Sequence, residues 1–407
     1  MKKKNIILKE KNAKNNENMN LISVEENEEE DNNTIKELKD KNKQFENRIK
    51  YLEDKNKILE EENAKHKEFI NTIFKEENKK VFNDFKENPQ NLKFKYDITN
   101  ERADSGNLNN IELFIGLKDR KEYIVYNRII NCNLHIMRIY DQKNIASLKG
   151  HEKRISVIRY YLKNLNDYIL SCDKNRMAIV WDIQNNYNIK YKIQAAYEGN
   201  LCDALLLFNV FDKDYILLSS GQEEEYSQLY EFKENTPFFK NIYDTNKNET
   251  SYMIPWSNNG KYYIIDCCYN KKISINNLLE EENYALLSQK PEGSHCCCYI
   301  YNYNYLCVSD WDNPYIKIWD LKEKKLFKQI NTSASHGCAI IPWNNNYAII
   351  GCDSCFVIVN IEEGKFVKKI KCINNRDLRR LKKMKIDGLG ECLICSSQGN
   401  FIRLFSI

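Results

Sequence analysis

The side chains able to support chemistry fall into four groups. Cys352 with Cys355 and Cys392 with Cys395 have the spacing of a zinc knuckle. The runs Glu223-Glu224-Glu225 and Glu280-Glu281-Glu282 could pair carboxylates for acid–base work. Three of the five histidines, His151, His295 and His336, could act as bases or ligands in concert with Trp181-Asp182 and Trp319-Asp320. A basic cluster, Arg376, Arg379, Arg380, Lys382, Lys383 and Lys385, could hold an acidic peptide or a phosphate by long-range attraction.

Most of these groups have a plainer reading. Cys392 to Cys395 lies in an apolar run that reads as a strand, where residues three apart face opposite sides. Cys267-Cys268 and Cys296-Cys297-Cys298 cannot bridge to themselves, and among fifteen cysteines they fit small buried apolar residues in a reducing compartment. Both glutamate runs sit in polar turns and read as solvated. No G-x-G-x-x-G, P-loop, G-x-S-x-G or H-E-x-x-H pattern occurs. The expectation is no catalytic residue, no cofactor and no metal.

The chain that must position these residues has 407 of them, a formal net charge of +4 and 29% charged side chains. That balance gives no general affinity for polyanions, so DNA and RNA are not expected partners. The start, Met1 to Lys9, has only three consecutive apolar residues, and no stretch approaches the ~18 that a membrane helix needs. A soluble, intracellular, cytoplasmic protein is expected.

Two segments differ in period. Residues 1–32 are rich in Asn, Lys and Glu and read as a disordered tail. Over 33–86 a heptad predicts a coiled coil, with Ile35, Asn42, Ile49, Asn56, Asn63 and Ile70 at a and Leu38, Phe45, Leu52, Leu59, His66 and Ile73 at d. In a parallel dimer Lys41 would face Glu46, Arg48 Glu53, Lys55 Glu60 and Glu62 Lys67, all opposite in sign. The Asn at a would favour one register. The competing reading is a single charged helix. A basic zipper is disfavoured, because Glu25 to Asp31 stands where DNA-reading residues would lie.

From about Leu92 the period is two, so this half reads as all-β. Seven segments of the form apolar-x-apolar-aromatic-acid-apolar, some degraded, each end the third strand of a unit. The aromatic position falls at residues 140, 181, 230, 276, 319, 359 and 405, recurring every 40 to 49 residues, the length of a four-stranded blade.

Over residues 92–407 the chain resembles the WD-repeat (WD40) β-propeller family. Gly150-His151 followed by Trp181-Asp182 matches the paired signature, while His295 with Trp319-Asp320, and His336-Gly337, match in part. The resemblance implies an all-β, seven-bladed WD40-type propeller, here preceded by a long α-helical coiled coil. It implies that His151, Trp181, Asp182, His295, Trp319, Asp320 and His336 pack and bond within blades, each His meeting a turn acid. Asp173 and Asp312 share no common offset from their Trp, so an incomplete network is expected. The Arg after Trp-Asp by which many such propellers dock on cullin adaptors is missing, as is the Phe-Arg-Arg-Gly lipid signature.

The chain stops at Ile407, inside a third strand, and Leu92-Lys93-Phe94-Lys95-Tyr96-Asp97-Ile98 alternates with its apolar residues on one face. That segment is expected to complete the seventh blade, because an open ring would expose a sheet edge. The basic cluster precedes the last strands, and the loop entering that blade is expected to place part of it on the entry face, which the resemblance implies is the partner-binding side. The function these features imply is a non-enzymatic scaffold or adaptor, a homodimer through its coil that binds proteins or peptides, acidic ones among them. An anionic-lipid or phosphoinositide effector ranks second and a cytoskeletal or ciliary component third. For the coil, sedimentation equilibrium of a peptide spanning 33–77 should give two chains. Each g–e pair should add only about 0.2–0.5 kcal/mol, and a monomer at micromolar concentration would refute the pairing.

Overall fold

The computed structural model describes residues 42–55, 57, 85–98 and 108–407, less short stretches within the last span, among them 311–313, 333–336 and 373–377. The chain divides into two units, 1–69 and 70–407. In the first, residues 42–55 are helical and exposed, with Phe45, Ile49 and Leu52 uncovered. Of the expected seam, Ile35, Leu38, Asn56, Leu59, Asn63, Ile70 and Ile73 lie outside the described residues. Among the described residues no coiled coil is seen.

The second unit is a seven-bladed β-propeller of seven four-stranded antiparallel sheets. Six are continuous in sequence, over 108–148, 155–194, 201–242, 250–287, 295–331 and 339–371. The seventh joins three strands from 378–406 to Lys93–Asp97. First strands of successive blades adjoin around the ring, blade 7 against blade 1.

Each sheet is buried on both faces, which explains the third strands: Ile273–Asn277, Cys355–Asn360 and Ile402–Ser406 are buried at every position. Successive residues serve opposite neighbours. In blade 2, Ile169 packs toward blade 1 and Leu170 toward blade 3. Seven apolar clusters result, one at each seam. The fourth strands form the rim and alternate exposed with half-buried side chains. They carry lysines, as Lys365, Lys368, Lys369 and Lys371 do on Lys365–Lys371, and charge there discourages pairing with another sheet.

The strand Lys93–Asp97 runs antiparallel to Ile402–Ser406, with Phe94 opposite Phe405 and Tyr96 opposite Leu404. The single apolar face expected from Leu92 to Ile98 is not formed. A bulge between Phe94 and Tyr96 adds a residue and turns the strand over. Leu92 packs into the seam of blades 6 and 7 and Phe94 lies edge-on to Phe405, whereas Tyr96 and Ile98 enter the seam of blades 7 and 1. Asp97 accepts a 2.9 Å bond from Arg403, and Ile98 N donates to Ile402 O at 2.7 Å.

One repeat position also shifts. The residue after each third strand donates its N–H to the start of the second strand, as Ile183 does to Asp167 and Ile139 to Glu122. This places Met137, not Tyr140, at the Trp position of blade 1. Tyr140 lies 83% exposed in the following turn.

Burying Leu92 and Ile98 alone should contribute about 3–6 kcal/mol gross, at roughly 1.5–3 kcal/mol per side chain. A chain shortened to start at residue 85 should therefore melt several degrees above one that starts at residue 99. Equal melting temperatures would show that the strand does not support the ring.

Candidate functional site

The side chains best equipped for chemistry meet in blade 2. His151 Nδ1 lies 2.9 Å from Asp173 Oδ2, His151 Nε2 lies 2.7 Å from Ser171 Oγ, and Trp181 Nε1 donates to the same Oγ at 2.8 Å. A carboxylate only accepts, so the imidazole proton sits on Nδ1, leaving Nε2 to accept from the serine. Asp173 also accepts from the N–H groups of Asn175 and Met177, at 2.8 and 3.1 Å. Burial pushes its carboxyl up, but the His151 bond and the backbone donors outweigh that and hold it below 3.8. Its contribution to stability is thus present above that value and lost as the pH falls through the lower folded one.

The order Ser–His–Asp is that of a nucleophilic triad, but here it is closed to substrate. Ser171 is fully buried, the His151 and Asp173 side chains are 1% exposed, and the Trp181 N–H occupies the hydroxyl oxygen. The arrangement locks the loop before blade 2 onto its second and third strands. Gly150 is part of it, since a Cβ there would lie 3.0 Å from the Trp181 ring and 3.1 Å from Ile179. The network expected to be incomplete is complete in this blade.

Among the described residues it is not repeated elsewhere, and Asp312 lies outside them. The register of Ser171 is held by Tyr126, Leu218, Asp266, Val308, Ile350 and Cys395 in the other six blades. His295 is the first residue of the strand His295–Ile300, opposite Asp310, where blade 2 has Ile155 rather than His151. It is therefore not a loop histidine. His336 lies outside the described residues. The residues that follow the Trp position bond to backbone instead. Asp182 accepts from Asn185 N, Asp320 from Lys322 N and Glu323 N, and Asn360 from Glu363 N. Each holds the turn into the fourth strand, which Asn does as well as Asp.

The basic cluster is placed differently from expectation. Five of its six residues lie on the first strand of blade 7, Leu378–Ile386, rather than on a loop leading into it. Arg380 Nε donates to Asn110 Oδ1 at 3.1 Å and Lys382 Nζ pairs with Glu112 at 2.7 Å, both in blade 1. Lys383 points the other way, onto Trp343 O in blade 6 at 2.6 Å. Lys385 is half exposed, 4.0 Å from Glu391. Arg376 and the Arg379 side chain lie outside the described residues. The alternation of the strand divides the described charges between two sides, Arg380 and Lys382 toward blade 1 and Lys383 toward blade 6.

These bonds belong to a run of polar contacts between first strands that sequence reading missed. Asn110 Nδ2 donates to Ser156 O at 2.8 Å, and Ser156 Oγ to Leu201 O at 2.7 Å. Arg159 clasps Asp203 through Nε and Nη2, at 3.1 and 2.5 Å, and lies 5.0 Å from the Tyr252 ring centre. Asp203 accepts in turn from Met253 N at 2.7 Å. Burial works against the Arg159 charge, yet Asp203 and the neighbouring tyrosines hold its pKa above the ordinary arginine value. Blades 7, 1, 2, 3 and 4 are thereby tied in sequence beside a cavity of about 90 Å³ lined by Asn110, Arg159, Asp203, Tyr252 and Arg380.

The described cysteines are free thiols, most of them buried. Cys392 faces blade 1 and Cys395 faces blade 6, so this pair does not converge. Burial pushes the Cys392 thiol up to about 12.

Reversing Lys382 would set a carboxylate against Glu112, so Lys382→Glu should cost about 2 kcal/mol or more of stability, whereas Lys369→Glu on the exposed rim strand should change the melting temperature little. Equal effects would show that the cluster is an ordinary solvated surface. Compared with known proteins, the sequence matches no family model and no curated protein.

Proposed function

We propose that this chain is a WD-type propeller working inside the cell as a non-enzymatic scaffold, binding partner proteins on the faces of its ring. One observation carries the reading most. The Ser171, His151 and Asp173 constellation is spent on fastening blade 2, with its hydroxyl buried and bonded to Trp181. Homodimerisation through 33–77 belongs to the same proposal. It is supported by Phe45, Ile49 and Leu52, which are 63%, 42% and 51% exposed on the helix over 42–55 and would be covered by a second copy. Two propellers on one stalk would raise avidity for clustered targets.

A second reading, contact with an anionic membrane surface, draws support from a different set of charges than the sequence suggested. Lys93 and Lys95 on blade 7 and Lys365, Lys368, Lys369 and Lys371 on blade 6 are exposed along neighbouring rim strands. Among the described residues no helix is long and apolar enough to cross a membrane.

Affinity purification of the full chain and vesicle sedimentation separate the two. A scaffold should retain stoichiometric proteins through a high-salt wash and should not sediment with vesicles of anionic lipid. The second reading expects salt-sensitive sedimentation that is lost when Lys368, Lys369 and Lys371 are changed to Glu. Absence of any stoichiometric protein partner would remove the scaffold reading.

A further inference from the structure

The segment just before the closing strand, residues 85–92, is held by side chains of blades 6 and 7 in the way a receptor holds a peptide. Phe85 is 6% exposed and stands edge-on to Trp343, ring centres 4.7 Å apart, with Lys383 Nζ 4.8 Å from its own ring centre. The Glu391 side chain, 7% exposed, accepts from two successive backbone N–H groups, Lys86 at 2.6 Å and Glu87 at 3.0 Å. The Trp343 indole donates to Glu87 O at 3.0 Å, and Lys368 donates to Gln90 O at 2.7 Å. Asn88 Oδ1 caps a 3-10 turn over Pro89–Asn91, with Pro89 buried. The Lys86 and Glu87 side chains are exposed, so recognition reads one aromatic ring, the backbone and the Asn-Pro turn.

We propose that Trp343, Lys383, Glu391 and Lys368 form a peptide-binding groove which the chain fills with its own residues 85–91, and which accepts a partner segment of the form Phe-x-x-Asn-Pro in its place. The proposal rests on the reading of the propeller as a binder of protein segments and names one site and one ligand chemistry for it. The groove has the parts such recognition requires. A preformed aromatic anchor site gives affinity, and a carboxylate aimed at two adjacent amides fixes direction and register. A ligand lacking Phe would leave Trp343 uncovered, and one with proline at the position of Lys86 or Glu87 would leave a Glu391 oxygen without its donor. In sequence the occupant directly precedes the closing strand Lys93–Asp97. Its release would free residues 85–91 while leaving Leu92 in its seam and the sheet pairing of Lys93–Asp97 in place.

The test uses the full chain and an N-acetylated, fluorescein-labelled peptide copying residues 85–91. Phe85→Ala, which weakens the internal occupant, should bind the peptide at least ten-fold more tightly than the unaltered chain. Adding Glu391→Ala should reverse that gain, and a peptide with Ala in place of Phe should not bind. A folded Phe85→Ala chain that binds no better than the unaltered one, or a double variant that keeps the gain, would overturn the proposal. Hydrogen exchange on the unaltered chain gives an answer independent of how the variants fold. Saturating peptide should speed exchange at Lys86 and Glu87 at least three-fold, and unchanged exchange would also overturn it. These readouts fail or succeed separately from the search for protein partners elsewhere on the ring.

Discussion

A sheet with two apolar faces needs a neighbour on each side, and in this chain that need is met by closing the sheets into a ring. Every blade gives alternate residues to two different seams, and each of the seven seams has its own buried cluster. No blade owns a complete core. Stability is therefore a property of the closed circle, and the seam between blades 7 and 1 matters as much as any other, although it depends on Ile98 meeting Leu404 and Ile394 across most of the sequence.

The polar interactions answer a different question, which is how apolar sheets keep their register. Apolar packing is non-directional. Bonds such as Arg159 with Asp203 and Lys382 with Glu112 fix one blade against the next through their first strands, while His151, Ser171, Asp173 and Trp181 fix strands within a blade. The full set occurs in blade 2, and the aligned positions elsewhere hold residues such as Leu218, Val308 and Ile350, which pack instead. The ring tolerates this because seam burial is distributed over seven sites.

The repeat was legible because its signal is local: a buried third strand and the turn after it occupy a few consecutive residues in every blade. Where the sequence misled, a local imitation stood beside the real position. Tyr140-Asp141 looks like Trp-Asp, yet Met137 fills that site and Arg138 ties itself to Asp141 in the turn. The first strand of blade 7 was obscured by a bulge between Leu378 and Arg380, which breaks the period of two and makes its charges look like a loop. Their acceptors were beyond sequence reading, since Asn110 and Glu112 lie 270 residues away. Ser171 could have been found from its place two residues before Asp173, in an apolar strand that pairs with the one carrying Trp181. Glu391 carried no local mark at all, because its partners are backbone groups 304 and 305 residues distant.

The clasp between Asp97 and Arg403 joins residues 306 positions apart. A ribosome delivers them in that order, at about 5–20 residues per second, so the first strand of the clasp waits roughly 15–60 s for its partner. During that interval the apolar side chains of Leu92, Tyr96 and Ile98 have no seam to enter, and six blades can assemble around a gap that the three strands of 378–406 fill at the end. The lysines at positions 93 and 95 keep the waiting strand charged on its way out, which disfavours capture by the edge of another nascent sheet. Ring closure is in this sense a timing problem of synthesis as well as a geometric one, and the charge pattern of the earliest strand suits it to the delay.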